Sequence, residues 1–329
     1  MHPFTFQRAA TVDEAIQSTA TDPAAAYLAG GTTLIDLMKL HVERPARLVD
    51  INRVPMDRID VAADGGPIRI GAMARNSDVA YNAEIQRRYP VLSQALLSGA
   101  TPQIRNMASV GGNLLQKTRC GYYRDGISPC NKREPGSGCA MAEGFNRSAA
   151  VLGTTDACVA TNPSDMAVAL AALDATVITR RPGGDERRIP IGEFYLLPEK
   201  PHVETVLERG ELITAVELPA IPDGAKQAYL KVRDRASYEF ALASVAALVW
   251  MDDESIVSAR LALGGVATVP WRAADAEKLL AGRKPDSALF RSVAAAALKD
   301  ARPLKYNAFK IELSKRAIER ALVDLTTSQ

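Results

Sequence analysis

Residues 109–158 read SVGGNLLQKTRCGYYRDGISPCNKREPGSGCAMAEGFNRSAAVLGTTDAC, and the rest of the chain can be interpreted outward from them. The stretch opens with Ser109-Val110-Gly111-Gly112-Asn113, which predicts a turn with no side chains on two successive residues. All four cysteines of the chain follow in the same stretch: Cys120, Cys130, Cys139 and Cys158. A turn of bare main chain beside four soft ligands indicates two charged or redox-active groups held close together.

The bulk properties of the chain exclude several classes of protein. A length of 329 residues predicts two or three domains, and a formal net charge of +2 gives no reason to expect a nucleic-acid or membrane surface. The first eight residues lack the pattern of a signal peptide, so we expect folding in a reducing compartment. The three histidines, His2, His41 and His202, are far apart, which argues against a His-ligated zinc enzyme and against Cys–His catalysis.

The hydrophobic pattern predicts an α+β protein with its best domain boundary at 222–224. We expect one domain over 1–221, with a cysteine-rich insertion at about 117–158, and a second over 222–329. Before the boundary, helices are predicted over 12–19, 79–89 and 91–97. A further helix is predicted to begin at 34, and another to begin at 162–165 and end at 173. Strands are predicted over 25–29, 48–51, 68–72, 175–179 and 212–218, with a turn over 63–67. After the boundary, three antiparallel strands are predicted over 229–232, 243–251 and 256–264, then helices over 273–280, 287–299 and 308–325.

The segment Tyr27-Leu28-Ala29-Gly30-Gly31-Thr32-Thr33-Leu34 combines a strand, two glycines, two hydroxyls and a helix start. Such a junction presents unpaired backbone N–H groups to an anion, and glycine lets a pyrophosphate approach the main chain. A tight strand-to-helix turn is the alternative interpretation. The segment matches neither G-x-G-x-x-G nor a Walker loop, which disfavours a nicotinamide domain and an NTPase. Because residues 109–114 form a second turn of this kind, a dinucleotide lying across both is favoured.

The cysteines are separated by nine, eight and eighteen residues. Disulfides are not expected, because no secretory signal is present and the chain is large enough to fold without them. Structural zinc usually shows paired C-x-x-C knuckles, which are absent. An iron–sulfur cluster needs four thiolates and tolerates irregular spacing, and nearby arginines and lysines would offset its charge. The spacing leaves two interpretations open, which are iron–sulfur ligands and unliganded buried thiols.

Together these segments resemble the FAD-binding subunit of the molybdenum hydroxylases, the xanthine oxidase-type enzymes, over nearly the whole chain. Residues 26–34 look like the family's first flavin loop, and 100–106 leading into 109–113 look like the second. Ser164-Asp165-Met166 matches the family's Ser-Asp-Leu segment, Ile213 the aliphatic position against the isoalloxazine ring, and Lys231 the flavin-side lysine. The resemblance implies a two-part FAD-binding domain of the vanillyl-alcohol oxidase (PCMH) type, followed by a C-terminal α+β domain.

The resemblance also implies which residues contact the cofactor. Those expected to bind FAD are Ala26, Tyr27, Leu28, Ala29, Gly30, Gly31, Thr32, Thr33, Leu34, Thr101, Ser109, Gly111, Gly112, Asn113, Asp165, Ile213 and Lys231. Lys231 is expected to stabilise the reduced flavin by its positive charge, with a surface lysine at a strand end as the alternative. The loop over 238–240 matches a family loop near the flavin and is expected to gate access of the electron acceptor.

The cysteine segment narrows the resemblance to a smaller group within the family, because most members of the family lack this segment. It is similar to the FAD and 4Fe–4S subunit of bacterial periplasmic aldehyde oxidoreductases, which implies that the four cysteines bind one 4Fe–4S cluster. The implied function is electron transfer from two 2Fe–2S clusters of a small partner subunit through FAD to an external acceptor. The aldehyde would be oxidised at a molybdenum cofactor on a large partner, so a heterotrimer is expected, with no catalytic residue, nucleic-acid site or membrane insertion in this chain.

Two other functions stay open at this point. The related subunit of 4-hydroxybenzoyl-CoA reductase also carries an insertion, although its cysteine spacing differs, and its electrons run inward to reduce a substrate. The second alternative is a non-redox assembly subunit that binds a nucleotide and zinc. The resemblance implies a periplasmic location by co-export with a partner, with the cytoplasm as the alternative.

Overall fold

The structure, a computed structural model, describes residues 1–62 and 65–327. Its first unit consists of β1 (Thr5–Arg8), α1 (Val12–Ala20), β2 (Ala25–Leu28), α2 (Leu34–Lys39) and β3 (Arg47–Asp50). The strands form a parallel sheet in the order β1-β3-β2. α1 begins at a capping box, because the Thr11 hydroxyl accepts a hydrogen bond from the Glu14 amide at 3.1 Å. The Glu14 carboxylate reaches back to the amide of Ala10 at 2.8 Å, so local chemistry alone sets this helix start.

The second unit surrounds a five-stranded antiparallel sheet. Its elements are β4 (Ile59–Val61), β5 (Ile68–Gly71), α3 (Asn76–Tyr81), α4 (Ala83–Arg88), α5 (Pro90–Ser98), α6 (Pro102–Arg105), α7 (Val110–Leu114), α8 (Gly121–Arg124), α9 (Ala140–Glu143), α10 (Asp165–Ala172), β6 (Thr176–Arg180), β7 (Glu186–Pro190), α11 (Ile191–Phe194) and β8 (Leu212–Leu218). The strand order is β4-β5-β8-β6-β7. The cysteine-rich segment carries α8 and α9 and is otherwise irregular. α10 is apolar all round and is buried at every position after Asp165, which makes it the central helix of this unit.

The C-terminal unit is a four-stranded antiparallel sheet with three helices. Its elements are β9 (Lys226–Val232), β10 (Ala243–Asp252), β11 (Ser255–Gly264), β12 (Trp271–Arg272), α12 (Ala274–Glu277), α13 (Ser287–Ala297) and α14 (Phe309–Thr327). The strand order is β12-β11-β10-β9. Residues 243–250 of β10 are all buried, because α14 covers one face of the strand and α5 and α10 contact the other. The sheet thus contributes to two cores, and Ala246 and Leu248 belong to the core of the preceding unit.

The α+β class is confirmed, with an antiparallel sheet and helices in the C-terminal part. Several details differ from the sequence predictions, among them the unpredicted short elements β7, α6, α8, α9 and α11. The C-terminal sheet has four strands and not three, because the two residues of β12 pair with β11 and are too few to show a pattern. The strand β4 was not predicted, and the helix predicted over 79–89 is split at Asn82, whose side chain caps α4. The stretch 109–113 is the start of α7 and not a simple turn.

Two further points concern single segments. The turn predicted over 63–67 includes Ala63 and Asp64, which lie outside the described residues. Among the helices within 1–62 and 65–327, none combines the length and the apolarity needed to cross a lipid bilayer.

Candidate functional site

A cavity of about 990 Å³ lies where the three units meet. Its walls include 15 of the 17 residues predicted to contact the cofactor: Ala26, Tyr27, Ala29, Gly30, Gly31, Thr32, Thr33, Leu34, Ser109, Gly111, Gly112, Asn113, Asp165, Ile213 and Lys231. The structure therefore brings together segments that lie up to about two hundred residues apart in the chain. The two remaining residues lie outside this lining, since Leu28 ends β2 and Thr101 caps α6 through its hydroxyl.

The two glycine-containing loops pack directly against each other. A Cβ atom on Gly30 would lie 1.9 Å from the carbonyl oxygen of Met107, which precedes the second loop. Only glycine allows so close an approach of two main chains. Gly31 follows with φ +73°, a conformation that side chains disfavour, and it directs the chain toward α2. The glycines of the first loop are thus required by the contact between the loops as well as by any ligand.

The two loops differ in the hydrogen-bond donors they offer. In the second loop the amide of Gly111 donates to Ala72 at 2.8 Å and the amide of Asn113 to Ser109 at 2.8 Å. The amide of Gly112 donates to the Ser109 hydroxyl at 3.2 Å. In the first loop, no acceptor among the described residues is bonded to the amides of 31–33. The expectation that both loops offer free amides is therefore wrong for the second loop, which contributes a close approach of bare main chain instead.

An unsatisfied polar atom points to a ligand in the cavity. Asn76, the first residue of α3, is 4% exposed, and its Oδ1 atom has no hydrogen-bond partner among the described residues. A buried amide oxygen without a donor costs free energy unless a ligand or water supplies one. Asn76 lines the cavity together with the donor-rich first loop, so the wall offers both donors and an acceptor. This arrangement fits FAD, which carries a diphosphate as well as hydroxyl and ring N–H groups.

A buried ion pair closes one side of the cavity. The Lys231 ammonium lies 2.7 Å from the Asp165 carboxylate and also donates to the Ser98 carbonyl at 3.0 Å. The Lys231 side chain is 4% exposed, so the alternative of a surface lysine is wrong. Asp165 opens α10, whereas Lys231 lies in β9, so the pair joins the second unit to the C-terminal sheet.

Tyr229 completes this network, and the sequence analysis missed it. Its hydroxyl lies 2.6 Å from Asp165 and 2.9 Å from the Ser244 hydroxyl. Because a carboxylate only accepts, Tyr229 donates to Asp165 and receives a hydrogen bond from Ser244. Burial, followed by the charge of Asp165, raises the pKa of Tyr229 well above its usual value. Its position two residues before Lys231 on the same strand places both side chains on one face, which was the available signal.

The cysteine-rich segment adds four cationic side chains to the cavity wall that were not predicted as site residues: Lys117, Arg119, Arg124 and Lys132. Arg119 and Arg124 both bind the Asp36 carboxylate of α2, at 3.3 Å and 2.7 Å. Arg119 also lies 5.0 Å from the ring centre of Phe240, within the loop expected to gate the site. The segment is therefore fixed both to the helix that follows the first loop and to the proposed gate.

The four cysteines surround a narrow cleft beside the cavity. Cys120, Cys130 and Cys158 are buried, Cys139 is half-buried, and all four are free thiols. Cys130 and Cys139 are brought together by a short antiparallel bridge. Within the part of the chain that the structure describes, no three His, Cys, Asp or Glu side chains are arranged to hold a single metal ion. All four cysteines nevertheless line the cleft, and four cysteine thiolates are the donor set that a 4Fe–4S cluster requires.

Burial disfavours the thiolate form of two of the four cysteines, Cys120 and Cys158. Burial raises the pKa of Cys120 to about 11, although the amides of Tyr123 and Tyr122 oppose the shift. Burial also raises the pKa of Cys158, and the charge of Lys132 opposes that change. Metal ligation requires thiolates, so any metal must displace these protons when it binds.

Comparisons with known proteins agree with this architecture. Residues 2–221 match the family model for the FAD binding domain in molybdopterin dehydrogenase, and residues 228–324 match the CO dehydrogenase flavoprotein C-terminal domain. The chain is 50% identical over 327 residues to the aldehyde oxidoreductase FAD-binding subunit PaoB of Escherichia coli K12, covering 98% of each chain. It is 29% identical to the glyceraldehyde dehydrogenase medium chain of Sulfolobus acidocaldarius, covering 89% of this chain and 87% of the relative.

Solved structures show the same fold. A carbon monoxide dehydrogenase chain from Hydrogenophaga pseudoflava superposes with a TM-score of 0.78 at 24% identity, covering 98% of this chain and 97% of that one. The reconstituted CO dehydrogenase from Oligotropha carboxidovorans gives 0.79 at 23% identity, with both chains fully covered. On the two family matches and the 50% identity, the chain belongs to the FAD-binding subunits of the molybdenum hydroxylase family and is an oxidoreductase subunit that binds FAD.

Proposed function

We propose that this chain is the electron-transfer subunit of a molybdenum-dependent aldehyde oxidoreductase. The observation that carries the proposal is the 50% identity to an aldehyde oxidoreductase FAD-binding subunit over 327 residues, a span that includes the cysteine-rich segment. The role of this chain is to receive electrons that aldehyde oxidation releases on a molybdenum-containing partner. They arrive through two 2Fe–2S clusters of a small partner subunit and leave to an external acceptor.

Different residues of the cavity would contact different parts of FAD. The unbonded amides of 31–33 in the first loop suit the diphosphate, because such donors favour negative charge. Gly112 lets the cofactor lie against main chain, and the Asn76 oxygen accepts from a ligand donor. The Lys231–Asp165 pair and Ile213 form the wall expected next to the ring system. When bound, FAD supplies the ability to exchange electrons both singly and in pairs.

The proposal assigns one 4Fe–4S cluster to Cys120, Cys130, Cys139 and Cys158. Its support is the set of four free thiols around one cleft, three of them buried. Lys132 and Arg133 lie in the same segment and offset the negative charge that four thiolates bring. Arg133 also donates to the carbonyls of Tyr122 and Tyr123 at 2.9 Å and 2.8 Å, which fixes the loop around the cleft.

The proposed assembly is a heterotrimer with a large molybdenum-cofactor subunit and a small 2Fe–2S subunit. Its location is the periplasm, reached by co-export with a partner, as the family resemblance implies. The loop residues Tyr238, Glu239 and Phe240 border the cavity, and they are proposed to control access of the acceptor; Tyr238 and Phe240 are exposed, and Glu239 is half-buried.

A cofactor analysis of the complex purified with its partners tests the proposal. The expected result is one FAD for each copy of this chain, released by acid and measured by fluorescence. Iron and acid-labile sulfide should exceed the content of two 2Fe–2S clusters by four atoms of each, and this excess should vanish in Cys130→Ala. Zinc in place of the extra iron, with no flavin, would support the assembly subunit instead. Failure of aldehydes to reduce the flavin would support the reductase-like alternative.

A further inference from the structure

The main cavity and the cysteine cleft share one wall. The residues that line both are Thr118, Lys132, Cys158 and Ala160. All four cysteines lie within the described residues, and only Cys158 lines the main cavity. Cys120 lines the cleft and also a separate pocket beside the loop at 238–240. Cys130 and Cys139 line the cleft and neither of the other two pockets. Cys158 is therefore the cysteine that separates the cleft from the cavity of the flavin.

Lys132 is held against this wall by two protein groups. Its ammonium donates to the Glu204 carboxylate at 2.7 Å and to the Pro201 carbonyl at 3.0 Å, and its side chain is 11% exposed. These two hydrogen bonds fix a flexible side chain that would otherwise point to water. The charge of Lys132 acts on Cys158, where it opposes the effect of burial on the thiol.

Glu204 does not cancel the charge of Lys132, because it has a second cation. Lys117 binds the other oxygen of the same carboxylate. Although burial opposes the change, these two ammonium groups lower the pKa of Glu204, so the carboxylate is ionised at neutral pH. Lys117, Lys132 and Glu204 together carry one net positive charge in a largely buried position beside Cys158, and a further carboxylate, Glu43, acts on the Lys117 end of the group. In such surroundings a charge is screened less than at the surface.

A fixed positive charge next to an iron–sulfur cluster stabilises its reduced form, because reduction adds one negative charge. We propose that Lys132 sets the reduction potential of the cluster on its flavin-facing side, at the ligand Cys158. The inference rests on the proposed function. The step that it concerns moves one electron between cluster and flavin, with no atom transferred and no bond formed or broken.

The chain offers a matched control for this charge. Lys117 and Lys132 share Glu204, but only Lys132 borders the cysteine cleft. The variants Lys132→Gln and Lys117→Gln each remove one positive charge from the group formed by Lys117, Lys132 and Glu204. Lys132→Arg keeps the charge and serves as the rescue variant.

The experiment is a redox titration of the complete complex, with the reduced cluster followed by electron paramagnetic resonance. Lys132→Gln should lower the equilibrium constant for cluster reduction about tenfold, which is 59 mV for one electron. Lys117→Gln should shift it by much less, and Lys132→Arg should restore the wild-type value, all with unchanged iron and FAD content. Equal shifts in the two glutamine variants, or no shift in Lys132→Gln with its iron retained, would overturn the inference. A wild-type complex without the extra iron would overturn the proposed function itself.

Discussion

The ammonium group of Lys231 has a carboxylate partner, and this changes its expected effect on the flavin. A lone buried cation would act on the reduced ring with its full charge. Asp165 lies 2.7 Å away and removes part of that field. Lys231 is therefore expected to tune the flavin modestly and, at the same time, to stabilise the contact between α10 and β9.

Replacing Lys231 by alanine should have two separable effects. The flavin midpoint potential should fall, because a positive charge near the reduced ring is lost. The free energy of unfolding should fall by about 3–5 kcal/mol, because Asp165 stays buried without its counter-charge. Redox titration of the flavin and urea denaturation measure the two effects.

The double variant Lys231→Ala with Asp165→Asn separates electrostatics from packing. It should recover much of the lost stability, since the uncompensated carboxylate is gone. An unchanged flavin potential in Lys231→Ala with full FAD content would contradict the proposed electrostatic role of this lysine.

At the scale of single residues, the sequence predicted which side chains come together better than what each one does. The resemblance selected Asp165 and Lys231, but their pairing depends on how β9 lies against α10, which no local pattern encodes. The amide of Gly111 looked free because its acceptor, the carbonyl of Ala72, follows a distant strand, and those of Gly112 and Asn113 looked free because the helical turn that pairs them with Ser109 was not predicted. Asn76 was missed because a single buried asparagine carries no motif.

At the scale of elements, the helix starts that depend on local chemistry were predictable from the sequence. The short strands that depend on pairing with a neighbour were not. The capping box of α1 and the Ser164 cap of α10 follow from residues within one helical turn. β4 and β12 are three and two residues long and exist because neighbouring strands offer hydrogen bonds. Asn82 interrupts the predicted helix because its side chain accepts from the amides of Glu84 and Ile85.

The contact between the two glycine loops gives a prediction at this scale. Gly30→Ala should push the loops apart, because the added Cβ would lie 1.9 Å from a backbone oxygen that cannot rotate away. We expect a loss of about 1–3 kcal/mol of stability, the range for overpacking, together with reduced FAD content. Thermal unfolding and acid-released flavin fluorescence measure the two.

Gly192→Ala is the matched control, since a Cβ on Gly192 meets no atom within 4 Å. This variant should retain wild-type flavin content. Full FAD occupancy in Gly30→Ala would show that the loops can separate without cost to the cofactor site.

At the scale of the whole molecule, a buried lysine ties the end of the cysteine-rich segment to the C-terminal helices. Lys310 in the first turn of α14 is 1% exposed. Its ammonium donates to the carbonyls of Ser148 at 3.1 Å, Ala149 at 3.0 Å and Gly265 at 2.7 Å. Burial, with a smaller effect of Arg147, lowers the pKa of Lys310 to about 7.

This lysine should make stability depend on pH. Between pH 7 and 10.5 the unfolded chain binds the proton more tightly than the folded protein, so stability rises with pH through that range. The slope from this one group approaches ~1.4 kcal/mol per pH unit. Below about pH 7 the lysine is charged in both states, and the slope from it vanishes.

Urea denaturation of the wild type and Lys310→Met at pH 6, 7, 8 and 9 measures this contribution. The difference in unfolding free energy should change between pH 7 and 9 and stay constant below. Lys305→Met, which removes an exposed lysine of the same region, should run parallel to the wild type. Parallel curves for Lys310→Met as well would show that the ammonium does not titrate in this range.

The network of Asp165, Tyr229 and Lys231 has a consequence for recombining this chain with its relatives. A fragment ending near 221 keeps the carboxylate without its donors, and a fragment beginning near 226 keeps the donors without their acceptor. Chimaeras that exchange C-terminal halves should therefore assemble only when donors and acceptor are transplanted as one set. The smallest exchangeable part of the chain is therefore one that contains Asp165, Tyr229 and Lys231 together. Its boundary need not lie at 222–224, between the second unit and the C-terminal unit.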